Sequence, residues 1–295
     1  MRAGIIGLGD MGSGMAKNLI LNGYTTTGFD LSETRMQTFT ALGGNAAVSV
    51  QDVARNADVV YVMVMNGQQA KAVILGHDGL VSHMQPGGVV ILTATIHPNE
   101  AQDIANAVSD TGIHLIDSPV SGGFPGAQGG TLTMMAAGMP NLLDQCEPMM
   151  QAVSKTIHRV GTKGGDGQAM KACLQSLIGS IFAATFEASV LAAKAGISGE
   201  NLFKVFSTSG AGCGCANTAL ENIIERRFEK TGSHIATMHK DLTISMGFAE
   251  ALGVPLHTAA TAMQLFHCGK SKYPDGDNWA VTRVIEEIVG VELHR

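Results

Sequence analysis

No long run of basic residues occurs anywhere in this chain, and acidic residues outnumber basic ones, 25 against 19. The net charge of −6, with no basic patch, argues against nucleic acid as the main partner. It leaves room for an anionic substrate, because a few local donors can hold a carboxylate. Cysteine is sparse: the five at positions 146, 173, 213, 215 and 268 form an odd set that makes no disulfide framework. A reducing compartment, the cytoplasm, is therefore expected. Cys213 and Cys215 form a CxC without a second pair at metal-ligand spacing, and the histidines show neither HxxxH nor HExxH. No metal is expected. No signal peptide is expected either, since MRAGIIGLGD enters an apolar strand at once. The one membrane-like stretch, after Lys171, contains Ser176, Ser180, Thr185, Glu187 and Ser189, which suits a buried helix better than a lipid-facing one. Internal repeats and low-complexity tracts are missing as well.

What is present is a rhythm of short apolar runs and helical segments. The runs 3–9, 25–30, 57–65, 87–95, 113–120 and 131–138 have strand length and little polar alternation. Continuous apolar runs of this kind suit parallel strands buried on both faces, with helices between them. The pattern changes after about residue 162. Helical periods then dominate 167–195, 199–208, 215–228, 233–252, 257–269 and 277–289. The expected architecture is an α/β, Rossmann-type doubly wound domain over 1–162, followed by an all-α domain over 163–295.

Gly7-Leu8-Gly9-Asp10-Met11-Gly12 is a GxGxxG between a strand and a helix. Such glycines allow a tight turn and a close approach of pyrophosphate to the helix N-terminus. Asp30 closes the second strand, where a carboxylate can accept from the adenosine ribose, and Leu31 offers no arginine beside it. NAD is thus favoured over NADP, with Arg35 the one residue that could spoil the preference. Met65 and Asn66 follow one strand and Thr95 another. Both loops should leave the edge of the sheet where ligands bind, and both are cofactor-site candidates; plain turn chemistry explains them equally well.

Asp117-Ser-Pro-Val-Ser121-Gly122-Gly123 follows a further apolar strand, and its Ser-Gly-Gly turn presents a hydroxyl and two unencumbered N–H groups suited to a carboxylate. Lys171 heads a long apolar helix, with Gln175 one turn later on the same face. A lysine in such surroundings is costly to bury and, once desolvated, reaches the range useful for proton transfer near neutral pH.

Taken in order, GLGDMGSGMAKNL (7–19), DSPVSGG (117–123), GDGQAMK (165–171) and HKDL (239–242) make the chain resemble the β-hydroxyacid dehydrogenase family over nearly its whole length. The resemblance implies an N-terminal Rossmann domain, an all-α C-terminal domain of the 6-phosphogluconate dehydrogenase kind, and NAD(P)-linked oxidation of a 3-hydroxy acid. It implies that Ser121, Gly122 and Gly123 bind the substrate carboxylate, that Lys171 is the catalytic acid/base, and that Lys240 lines the site near the nicotinamide with Asp241 beside it. The departure is at 174–175: the family usually carries Lys-x-x-Asn-Asn, and this chain has Leu174 and Gln175. Gln175 can stand in for the second asparagine and orient the substrate hydroxyl, whereas Leu174 cannot replace the hydrogen bonds of the first. The L-threonate subgroup carries Lys-x-x-His-Gln, so Gln175 points to four-carbon polyhydroxylated acids and Leu174 fits neither pattern. A semialdehyde reductase and a non-catalytic cofactor-binding oligomerisation module remain as alternatives, the latter disfavoured by the retained lysine. The histidines 97, 114 and 234 read as structural or exposed, His239 is of interest for its place beside Lys240, and Trp279 reads as core or interface with Asn278 near a cleft wall. The apolar helix from Gly167 implies a homodimer or homotetramer.

Overall fold

The computed structural model describes all 295 residues. Nine strands form one sheet: β1 Ala3–Ile6, β2 Thr26–Phe29, β3 Asn45–Ala46, β4 Val59–Val62, β5 Val89–Leu92, β6 His114–Asp117, β7 Val120–Ser121, β8 Leu132–Ala137 and β9 Ser154–Gly161. Their order is β3-β2-β1-β4-β5-β6-β8-β7, with β9 on the other edge of β8. From β3 to β6 all pairs are parallel, the doubly wound arrangement whose strand order reverses between β1 and β4. β8 runs antiparallel to β6 and β7. The break between β6 and β7 falls at Ser118-Pro119, where proline cannot donate to the ladder.

The alternation of side chains divides the apolar residues between the two faces. Ile5, Val59, Tyr61, Val89 and Ile91 join one buried cluster, with Met15 and Leu19 of the first helix, Asp10–Leu21. Their neighbours Ile6, Val60, Val62, Val90 and Leu92 join the opposite one, with Ile74 and Ile104. This is why the strands read as unbroken apolar runs: both faces are covered.

Two compact units are present, Met1–Lys171 and Ala172–Arg295. The division therefore lies inside the long helix Asp166–Lys194 rather than at the expected 162/163. The reason is a buried carboxylate: Asp117 accepts from the N–H groups of Gly165 and Gln168 at 2.9 and 3.2 Å, which ties the first helical turn to the sheet. In the second unit the helix continues beside Gly199–Thr208, Gly214–Ile224, Ile235–Leu252, His257–Lys272 and Thr282–Val289. Phe182, Phe186, Leu220, Leu242, Phe266 and Trp279 form its core. Trp279 meets Phe182 edge to face at 5.4 Å and donates from its indole to Thr231 Oγ at 3.0 Å. The helix expected over 215–228 stops at Ile224, because Arg226 adopts the left-handed region at φ 54. The last expected helix opens with a 3-10 turn, Asn278–Val281.

Candidate active site and cofactor cradle

β1 ends at Ile6, and Gly7 turns the chain with φ 90, a conformation that favours glycine. A Cβ on Gly7 would lie 2.1 Å from the Met63 carbonyl oxygen, so the turn can pass the end of β4 only without a side chain. A Cβ on Gly12 would lie 1.9 Å from the Gly7 carbonyl oxygen. Gly9 heads the first helix with no side-chain cap, and the atoms nearest its missing Cβ are those of the Arg35 guanidinium, at 3.8 Å, an ordinary contact distance. The first-turn N–H groups of that helix are thus left without a capping side chain, above an open glycine surface, which is the requirement for holding a pyrophosphate. Asp10 lies in this first turn, Leu8 is buried, and Met11 packs on the core beneath. Gly14, further along, lies where a Cβ would be 2.6 Å from the backbone of Ala127. Buried Asn18 completes this contact, donating from Nδ2 to the carbonyls of Gly14 and Ala127, both at 2.8 Å.

Asp30 closes the other wall. Its Oδ2 accepts from Leu8 N at 2.7 Å and its Oδ1 from Ser32 N at 2.8 Å, while Arg35 Nη1 stands 3.4 Å from each oxygen. Of the two flanking loops, Met65 is exposed and Asn66 caps the helix Gly67–Leu75, accepting from Gln69 N at 2.9 Å. Thr95 is half-buried after β5.

At Ser121 the chain leaves β7 into Gly122 and Gly123, with φ 129 and 59. Both angles favour glycine, and both residues are exposed, so their backbone faces solvent without cover. They lead into the short helix Gly123–Gly129, which has no side-chain cap.

The residue that anchors this region was not singled out by sequence. Asp117 is 1% exposed, and burial pushes its carboxyl up to about 6 even though Gln168, Gly165 and Gly167 donate to it. Gln168 reaches its Oδ1 with Nε2 at 2.8 Å, shares the same amide with the Ala94 carbonyl at 3.0 Å, and accepts from Ile96 N at 3.0 Å. One glutamine therefore joins the ends of β5 and β6 to the helix that carries Lys171. Both residues stood in the quoted motifs DSPVSGG and GDGQAMK, which was the only available signal.

Lys171 is 6% exposed, three residues after Gln168 and one turn before Gln175. In the second unit Gln175 is equally buried and donates from Nε2 to Asp241 Oδ2 at 2.6 Å. Lys240 Nζ stands 2.9 Å from Asp241 Oδ1. The Gln175 amide is thereby oriented: its nitrogen is held by a carboxylate, leaving the oxygen as an acceptor. Leu174 is half-buried and brings no polar group.

The histidines have other tasks. His97 caps the helix Pro98–Val108, its Nδ1 accepting from Asn99 N at 3.2 Å within a capping box completed by Glu100. His234 Nδ1 lies 3.3 Å from the fully buried Asp277. His239 contacts His267 at 3.1 Å, and its pKa is lowered, first by burial and then by Lys270 and His267.

Residues 2–180 match the family described as the NAD-binding domain of 6-phosphogluconate dehydrogenase. Residues 165–285 match that described as the NAD-binding part of NADP-dependent 3-hydroxyisobutyrate dehydrogenase. The chain is 31% identical to an L-threonate dehydrogenase of Escherichia coli O6:H1, over 97% of this chain and 95% of that protein. It is 32% identical to an NAD-dependent L-serine dehydrogenase of Pseudomonas aeruginosa, over 97% and 98%. A crystal structure of 3-hydroxyisobutyrate dehydrogenase from Salmonella typhimurium superposes with a TM-score of 0.88 at 30% identity, covering 96% of this chain and 99% of that one.

Proposed function

Because this chain belongs to the β-hydroxyacid dehydrogenase family, we propose that it oxidises the 3-hydroxyl of a short polyhydroxylated acid such as L-threonate, with Lys171 as acid/base. NAD is the cofactor. The glycine cradle fits it, since a Cβ at Gly7 or Gly12 would fill the turn, Gly9 leaves its surface open, and Asp30 stands at the ribose end. When bound, the nicotinamide supplies the acceptor for the hydride leaving the carbinol carbon.

The rest is work for side chains. Lys171, in its neutral form, takes the hydroxyl proton as the hydride departs, and as an ammonium it returns that proton in the reverse direction. Gln175 accepts a substrate hydroxyl at its free amide oxygen, because Asp241 holds the nitrogen. The Ser121 hydroxyl and the exposed backbone of Gly122 and Gly123 grip the carboxylate, and Lys240 adds positive charge. Met65, Asn66 and Thr95 belong to loops along the cofactor.

The observation that carries this reading is the buried Lys171 one turn before a glutamine of fixed orientation. Its test is a panel of threonate, erythronate, glycerate, 3-hydroxyisobutyrate, 3-hydroxypropionate and serine with NAD, repeated with Lys171→Ala. Threonate or erythronate should lead, and the variant should lose most turnover while binding NAD nearly as before. A strong preference for 3-hydroxyisobutyrate defeats the sugar-acid assignment, and an alanine variant with ordinary turnover defeats the lysine.

An oligomer belongs to the same reading. Met170, Cys173, Leu177, Ala184 and Leu191 are exposed along the long helix at heptad spacing, a stripe suited to a second copy in a homodimer or homotetramer. The same helix is, by length and composition alone, long and apolar enough to cross a membrane. The polar residues along it and the five free cysteines support a cytoplasmic enzyme instead, which cell fractionation checks.

A further inference from the structure

We infer that Arg35 opens the adenosine subsite to a 2′-phosphate, so that this chain takes NADP as well as NAD. The inference rests on the reading of Gly7–Gly12 as the dinucleotide cradle, and not on which acid is oxidised.

A strand-end aspartate normally rejects NADP because its bare carboxylate repels the phosphate. Asp30 is not bare. Of the roughly four lone-pair positions a carboxylate offers, backbone N–H groups of Leu8 and Ser32 occupy one on each oxygen. The remaining edge faces Arg35 Nη1, equidistant from both oxygens at 3.4 Å. The local charge of the pair is therefore zero, and the usual repulsion is largely cancelled.

The arginine is also free to do more than neutralise. Its contacts to Asp30 are long, its side chain is 54% exposed, and the carboxylate it touches is 9% exposed. The guanidinium overhangs Gly9, its atoms the nearest to the position of a Cβ at 3.8–3.9 Å. A phosphate on a ribose oxygen held by Asp30 would meet a planar donor fork of which only Nη1 is engaged by the carboxylate. Ser13, Thr34 and Thr38 line the same cavity of about 190 Å³, the hydroxyls of Ser13 and Thr38 donating to the Asp10 and Thr34 carbonyls. Asp10 lines it too, and Glu33 precedes Arg35 on the helix Glu33–Ala41. These carboxylates, with Asp30 itself, keep NAD the better cofactor.

The test separates cofactor choice from catalysis. Calorimetry with 5′-AMP and with 2′,5′-ADP reads the subsite without nicotinamide or substrate, alongside kcat/KM for NAD and NADP with the best acid of the panel. The native protein should bind 2′,5′-ADP no worse than about 100-fold more weakly than 5′-AMP. Arg35→Gln should shift that ratio, and the NADP/NAD ratio of kcat/KM, about 10- to 100-fold against the 2′-phosphate, the worth of one charge-assisted pair. Arg35→Lys should restore part of it, and an unchanged melting temperature shows that the fold is intact. A shift below fivefold in Arg35→Gln, or native binding of 2′,5′-ADP weaker than that limit, overturns the inference. If 5′-AMP itself fails to bind, the cradle reading falls and this inference with it. If the nucleotides behave as expected and no acid is oxidised, only the substrate proposal fails.

Discussion

Replacing Asp117 by asparagine should remove a specific pH dependence from the folding stability of this protein. The buried carboxyl titrates at about 6 in the folded chain against an ordinary 3.8. Between those values the folded chain holds a proton that the unfolded chain has released. The stabilisation is fully present below 3.8 and is lost as the pH rises through 6. At ~1.4 kcal/mol per pH unit, the group makes the native state ~3 kcal/mol less stable at pH 7.5 than below pH 4. Asparagine has no such titration, but it is not a silent replacement. Its oxygen can keep the bonds from Gly165 N and Gln168 N, while its NH2 would face the Gln168 amide nitrogen now donating at 2.8 Å. Gln168 cannot simply turn over, because its oxygen is needed by Ile96 N. An unmatched buried donor costs about 1–3 kcal/mol. The variant should therefore be about 1–3 kcal/mol less stable than the native protein at pH 4, and level with it or up to ~2 kcal/mol more stable at pH 7.5. Urea unfolding at half-unit pH steps reads the difference. Asp58 and Glu200, whose pKa values are lowered by Arg2 and Lys204, tilt both proteins alike and drop out of it. A native-minus-variant difference constant to about 0.5 kcal/mol across this range would falsify the account of Asp117, since it is only a fraction of the ~3 kcal/mol expected.

Gly12→Ala places a Cβ 1.9 Å from the Gly7 carbonyl oxygen, so the turn must open. NAD affinity, followed by fluorescence quenching, should fall at least about tenfold, with ~1–3 kcal/mol of stability lost to overpacking; retained affinity speaks against the cradle. Sedimentation should show the native protein as a dimer or larger at micromolar concentration. Leu177→Glu with Leu191→Glu, at positions 58% and 72% exposed, should shift it to monomer; a native monomer ends the oligomer proposal.

The central strands β1, β4 and β5 were legible because each is apolar on both faces. β9 was not: Lys155, Thr156, His158 and Arg159 are exposed, so an edge strand of this kind shows no apolar run. β3, with two residues, carries no periodicity at all. Among the helices, Gly199–Thr208 was readable to the residue, since Ser198 caps it and its apolar face is regular. The glycine loop was legible because Gly7 and Gly12 leave no room for a Cβ. Arg35 could be marked from its nearness in sequence, though its contact with Asp30 depends on how Ser32 caps the helix Glu33–Ala41. Gln175 and Asp241 are 66 residues apart, and Asp117 and Gln168 are 51 apart. Such pairings have no local signature, because an aspartate reads the same in sequence whether it is solvated or buried.

Gly14 and Asn18 have a consequence for how ligands influence one another. Through them the first helix is pressed and hydrogen-bonded onto the short helix that begins at Gly123. The helix end proposed for a pyrophosphate and the loop proposed for a carboxylate thus share one seam of backbone. With both ligands bound as proposed, ordering one side would remove freedom from the other, so the first to arrive would lighten the entropic cost met by the second. By thermodynamic reciprocity the gain would be the same whichever comes first: on the proposed reading, cofactor and acid would be partners in a single equilibrium, joined through Gly14.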